Sequence, residues 1–137
     1  MNVREVMTLD PIILNRDATA LEAAQHMRDA GVGDVLVQSN GKLAGIVTDR
    51  DIVVRVVADG KPPEETRLED CCTGELHTLG PDVDVDEAVL AMREYAVRRI
   101  PVVDNGQVVG IVAIGDLAIS RDERSALADI SAAAPNN

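Results

Sequence analysis

The chain repeats itself. Laying Val3 onto Leu68, an offset of 65, aligns Val3–Arg55 with Leu68–Ser120 without a gap, so the fold must be two half-size copies of one plan. Leu14 falls on Leu79, Asp17 on Asp82, Glu22-Ala23 on Glu87-Ala88 and Met27-Arg28 on Met92-Arg93. Further on the match tightens, with Asn40-Gly41 on Asn105-Gly106, Gly45-Ile46-Val47 on Gly110-Ile111-Val112 and Asp51 on Asp116. The stretch Ala58–Glu65 between the copies has the Pro, Gly and charge content of a linker. The expected organisation is a first repeat over 3–58, a linker over 59–67, a second repeat over 68–120 and a helical tail over 121–137. A chain of 137 residues has room for one core of ordinary size or two small halves that share it.

Each copy reads as strand, helix, hairpin, helix. Ile12-Ile13-Leu14 and Leu76-His77-Thr78-Leu79 are short apolar runs suited to a brief strand. Thr19 with Glu22, and Asp84 with Glu87, have capping-box spacing and place two helix starts. Behind the caps Ala20, Ala23, Ala24 and Met27, matched by Val85, Ala88, Val89 and Met92, recur at three and four and make one buried face. Val35–Val37 with Leu43–Val47, and Ile100–Val103 with Val108–Val112, form hairpins whose Asn-Gly turns tolerate positive φ. A last helix starts near Asp49 in one copy and Gly115 in the other. Alone, each copy would leave a sheet face and a small-residue helix face in water, so an α+β (α/β) architecture with the copies packed about a pseudo-two-fold axis is expected.

Composition removes several functions. Net charge is −11, which repels nucleic acid phosphates and anionic membranes, so any anion site has to be built locally. Tyr95 is the lone aromatic, which excludes readers of single-stranded nucleic acid by base stacking. The first residues lack the apolar run of a secretory signal, and no segment approaches the roughly 18 apolar residues of a membrane span. A soluble cytoplasmic protein is expected, without nucleic acid or membrane partners. Cys71 and Cys72 are neighbours, a spacing at which a disulfide is rare, and they fit a reduced compartment.

The residues Gly45-Ile46-Val47-Thr48-Asp49-Arg50-Asp51-Ile52, with Arg98-Arg99-Ile100-Pro101-Val102-Val103-Asp104, Gly110-Ile111-Val112 and Asp116-Leu117, resemble a tandem pair of CBS domains, a Bateman module. The resemblance covers roughly residues 3 to 120. It implies a stand-alone regulatory or sensing module rather than an enzyme, with no catalytic residues and no required cofactor. It also implies a homodimer whose ligands are adenosine compounds such as AMP, ADP, ATP or S-adenosylmethionine, bound in clefts that combine elements of both repeats.

On that resemblance the first cleft would join Thr48 and Asp51 to Leu76, His77, Arg98, Arg99 and Ile100. Asp51 would accept the ribose hydroxyls, Thr48 would add a hydroxyl contact, Leu76 and Ile100 would sandwich the adenine, and the two arginines would grip phosphate. The second cleft would join Ala113 and Asp116 to Pro11, Ile12, Gly33, Asp34 and Val35. It is the weaker one: Ala113 replaces Thr48, and Gly33-Asp34 stand where the other copy has the arginine pair, so phosphate would be repelled. One nucleotide cleft is therefore expected, or a second that accepts only an uncharged or cationic adenosyl ligand.

Plainer readings exist for the same residues. Thr48 and Asp51 also spell a capping box, Arg98 and Arg99 could be solvated, and His77 could be an ordinary strand residue. Cys71 and Cys72 with His26 or His77 lack metal-ligand spacing, and buried structural thiols are the expectation, with a redox-sensing thiol the alternative. Ser39, Ser120, Ser125 and Ser131 stand in no nucleophile elbow. Two function classes follow: a nucleotide-sensing module that signals to a separate partner protein, or a scaffold or stress-response protein that keeps the fold and acts by protein contact alone.

Overall fold

Four residues with positive φ fix the hairpins: Asn40 at 53° and Gly41 at 77°, then Asn105 at 50° and Gly106 at 77°. Two left-handed residues in succession make the tight turn whose twist matches that of the strands it joins. The computed structural model describes residues 1–121 together with 130, 132 and 133. Its elements in chain order are a 3-10 turn at Val3–Glu5, β1 (Thr8–Leu9), β2 (Ile13–Asn15), α1 (Ala20–Ala30), β3 (Asp34–Ser39) and β4 (Lys42–Thr48). Then come α2 (Asp49–Ile52) running into a π-helical turn (Val53–Val57), a 3-10 turn at Leu68–Asp70, α3 (Val85–Tyr95), β5 (Arg99–Asp104), β6 (Gln107–Ala113) and α4 (Ile114–Arg121). Most of the expected helical tail lies outside the described residues. The mixed α+β class expected from the repeat is what the chain adopts.

The elements form two compact units. One is continuous, Ile12–Leu76; the other is split, joining Met1–Pro11 to the chain from His77 onward. In the continuous unit the strand order is β2-β3-β4, with β2 parallel to β3 and β3 antiparallel to β4; in the split unit it is β1-β6-β5, all antiparallel. Each hairpin carries a bulge at the equivalent place. Ser39 pairs with Lys42 and Gln38 with Leu43, but Val37 pairs with Gly45, so Asp34 comes opposite Thr48. The second hairpin shifts between Val102 and Val103, which brings Arg99 opposite Ala113.

The expected strand at Leu76–Leu79 is reduced to a single parallel bridge, Leu79 to Val102. Proline explains it. In the first copy the Leu36 amide donates to the Ile12 carbonyl at 2.9 Å, and the equivalent of Leu36 is Pro101, which has no N–H to give to His77. The ladder holds only where Leu79 bonds Pro101 and Val103, at 3.0 and 2.9 Å.

Each core is built on one helix face. Ala20, Ala23 and Met27 of α1 pack with Val35, Val37, Val47 and Leu68; Val85, Ala88 and Met92 of α3 pack with Val3, Ile100, Val102 and Val112. Thr19 caps α1 by accepting from the Glu22 amide, as the spacing predicts, whereas Asp84 accepts from Asp86, one residue earlier than expected. Both helices stop in the left-handed conformation, at Gly31 (φ 67°) and at its equivalent Ala96 (φ 54°).

The 3-10 turns and the residues after them bind the unit of the other copy. Val3 belongs to the first repeat by offset, yet its amide donates to Val83 O at 2.8 Å, while Leu68 donates to Ala18 O at 2.8 Å. Both side chains are fully buried there. β1 then pairs with β6 across Gly110, and Thr73 bridges Ile46 beside Gly45. A Cβ on Gly110 would stand 2.8 Å from Thr8 O, and one on Gly45 would stand 2.9 Å from Thr73 O, so only glycine lets the backbones approach this closely.

Two substitutions should therefore move stability in opposite directions. Gly110→Ala is expected to destabilise by about 1–3 kcal/mol through overpacking against backbone. Ala96→Gly should stabilise by about 1 kcal/mol by relieving the left-handed alanine. Urea unfolding reads both, and equal midpoints for the two variants would contradict this account.

Candidate functional site

The strand-to-helix junction after β4 is a reciprocal cap. Thr48 Oγ1 accepts from the Asp51 amide at 3.1 Å, and Asp51 Oδ2 accepts from the Thr48 amide at 2.9 Å. Asp51 Oδ1 makes a longer ion pair with Arg55 Nε at 3.8 Å, and its side chain is only 12% exposed. The Arg55 guanidinium also donates to Cys72 O at 3.1 Å, which ties the cap to the residues packed over Gly45. Gly33 O accepts from the Asp49 amide at 3.0 Å, and Asp34 pairs with Thr48 in the ladder. One edge of the continuous unit thus collects Gly33, Asp34, Thr48 and Asp51; Ile12 and Leu76, both half-buried, belong to the same unit.

The split unit repeats the junction with one hydroxyl fewer. Asp116 Oδ2 accepts from the Ala113 amide at 2.8 Å, and Ala113 offers no side-chain oxygen in return. Arg98 O accepts from the Ile114 amide at 2.9 Å, and Arg99 lies opposite Ala113. Arg98 is exposed and Arg99 half-buried, so this edge collects Arg98, Arg99, Ala113 and Asp116. Pro11, His77 and Ile100 belong to this unit as well. Ile100 and its counterpart Val35 are fully buried in the two cores.

Burial pushes the Asp116 carboxyl above its ordinary range, against the opposing effect of the Ala113 N–H. Burial also pushes the Cys71 thiol up to about 11 and raises Cys72. Both thiols are free; Cys71 sits in the core and bonds Arg67 O at 3.6 Å. Raised thiols are poor nucleophiles at neutral pH. Among the described residues no three His, Cys, Asp or Glu side chains converge to hold a metal ion, and no helix is long and apolar enough to cross a membrane.

One contact was not legible in the sequence. The His77 imidazole stacks on the Tyr95 ring with centroids 3.5 Å apart and planes 7° from parallel. Tyr95 stands on the last turn of α3, 18 residues from His77 in the chain, and no local pattern links them.

The fold, the duplicated junction and the residues on it are those of CBS domains, whose family model matches residues 3–58 and 68–121. The chain belongs to the CBS-domain family. It carries two such domains in tandem, a Bateman module. The CBS domain-containing protein YhcV of Bacillus subtilis is 35% identical over 134 residues, covering 95% of each chain. An uncharacterised protein of Methanopyrus kandleri, MK0525, is 39% identical over 119 residues; the match covers 85% of this CBS pair and 61% of that protein's length. Among solved structures, the CBS domain pair of protein MJ0100 in complex with 5′-methylthioadenosine and S-adenosyl-L-methionine superposes with a TM-score of 0.81 at 26% identity, covering 91% of this chain and 98% of that one.

The Asp116 carboxyl of this CBS pair has a stability signature. A carboxyl whose pKa is higher in the folded chain adds stability only while protonated, fully below its unfolded value near 3.8, and loses it as pH rises through the folded value. Asp116→Asn keeps an acceptor for the Ala113 amide and cannot ionise. Its melting temperature should exceed that of the wild type at pH 7, with the gap closing as pH falls below 4. A lower melting temperature at pH 7 would contradict the assignment.

Proposed function

We propose that this CBS pair is a regulatory, non-catalytic module that binds an adenosine-type ligand (AMP, ADP, ATP or S-adenosylmethionine) and relays its occupancy to a separate protein partner. The observation that carries the reading is the carboxylate held at each strand-to-helix junction. In Asp51 and Asp116 the Oδ2 atom is engaged by a main-chain amide that fixes the side chain. A carboxylate has about four acceptor sites, so capacity is left for the two hydroxyls of a ribose. Arg98 and Arg99 supply the local positive charge that a phosphate needs on a chain of net charge −11. The adenosine compounds bound by the MJ0100 pair support the ligand class. A homodimer in the cytoplasm is the setting we infer for it.

The second reading, action by protein contact without a nucleotide, draws on one feature. Val53, Val54 and Val57 are 57, 43 and 60% exposed on the π-helical turn that follows the Thr48–Asp51 cap. Such a strip offers apolar area to a protein surface.

A thermal-shift series with AMP, ADP, ATP, S-adenosylmethionine and NADH separates the two. At a hundredfold excess over Kd a ligand that binds only the folded state adds about 2.7 kcal/mol. At least one of the adenosine compounds should raise the melting temperature saturably, with the effect reduced in Asp51→Ala or Asp116→Ala. A cooperative transition that none of the five compounds moves would leave the protein-contact reading standing alone.

A further inference from the structure

A sulfur atom occupies the same place in both copies. The 65-residue offset sets Met7 on Cys72, and each side chain lies on the glycine at which two backbones meet. A Cβ built on Gly110 would come within 2.7 Å of Met7 Sδ, and one on Gly45 within 2.8 Å of Cys72 Sγ. Both residues are half-buried and pack on the core of their own unit. The two sulfurs differ in what an oxidant can do to them. Cys72 reacts as a thiolate, and burial raises its thiol, so little of the reactive form exists at neutral pH. The Met7 thioether has its lone pairs at every pH and needs no deprotonation.

We propose that Met7 is a modification site: two-electron oxidation of its thioether by hydrogen peroxide releases Met1–Pro11 from β6. A lone pair of Sδ attacks one peroxide oxygen, the S–O bond forms as the O–O bond breaks, and after proton transfer the other oxygen leaves as water. Sulfur is oxidised to the sulfoxide and peroxide is reduced. A polar, chiral S=O group then replaces a flexible apolar one between the core and the Gly110 backbone, where its desolvation disfavours the packed state.

Met7 is placed to act on the whole segment. Its amide donates to Val3 O at 2.9 Å, which ties it to the 3-10 turn, and the next two residues, Thr8 and Leu9, are all of β1. Asp10 follows in the left-handed region, at φ 53°, and the pairing with β6 has ended. The equivalent segment of the other unit has a further tie, the Arg55 guanidinium on Cys72 O. The remaining methionines divide cleanly. Met1 is 67% exposed, so an oxygen added there is hydrated, while Met27 and Met92 are 7% exposed within the two cores and are shielded from peroxide.

Peroxide treatment of the full chain, with thiols restored by dithiothreitol before each reading, tests this. Peptide mass spectrometry should find an added oxygen on Met7 while Met27 and Met92 are still unmodified. The oxidised protein should melt about 3–6 °C lower and be cut by trypsin after Arg4 about tenfold faster or more. Methionine sulfoxide reductase should reverse both changes, a readout that needs no variant. Met7→Leu, which nearly conserves volume and has no sulfur, should hold both values through the same treatment. Met7 sulfoxide with an unchanged melting temperature and cleavage rate would overturn the proposal. So would an equal fall in Met7→Leu, or a Met7 that stays unmodified until Met27 and Met92 have reacted.

Discussion

The structure depends on two places where backbone meets backbone with nothing between. At Gly110 the first residues of the chain lie against β6, and at Gly45 the residues after the linker lie against β4. A methyl group at either glycine would sit inside the van der Waals distance of a carbonyl oxygen that is itself part of the ladder. Because these contacts are made, each sheet gains an outer segment, and each core gains a fully buried apolar residue, Val3 in one unit and Leu68 in the other. The helix starts are stitched by the same segments: Val85 N donates to Met1 O at 3.1 Å, and Ala20 N donates to Thr66 O at 2.8 Å. The repeats of the sequence and the units of the structure are for this reason offset by one segment.

That offset shows what sequence reading could and could not reach. The strict 65-residue spacing identifies Val3 with Leu68 as equivalent residues, and equivalence is silent about which copy each one joins. Both answers satisfy the same hydrophobic pattern. The hairpins, the helix faces and the two strand-to-helix junctions were legible because each is decided by neighbours a few residues away: Asn-Gly turns, apolar residues three and four apart, a hydroxyl three residues before a carboxylate. Register was less accessible. Counting outward from the Asn40-Gly41 turn without a bulge would set Asp34 against Val47, on the wrong face for the Thr48 cap; the irregularity at Val37 and Gln38 moves it by one residue. The shortened second-copy strand was readable in principle, from a proline at the place of Leu36, once the hydrogen bond that Leu36 makes was known.

The candidate site also explains why a plain capping reading and a ligand reading coexist for the same residues. A carboxylate bound to the main-chain amide of the preceding strand end is oriented without a rotamer search, which is what a binding group requires. In the first copy a hydroxyl and a carboxylate cap each other, and stability alone could account for both. The second copy separates the roles. Ala113 returns nothing to Asp116, and burial raises the carboxyl's pKa, so its ionised form is a cost to the folded chain at neutral pH. A buried carboxyl kept where an amide would accept the same N–H is the kind of local inconsistency expected at a functional position.

The central claim is that the junction carboxylates receive the ribose of an adenosine ligand. A crystal structure of the protein grown with AMP tests this most directly. The account predicts the ribose hydroxyls on Asp51 or on Asp116. AMP held by neither carboxylate would contradict it.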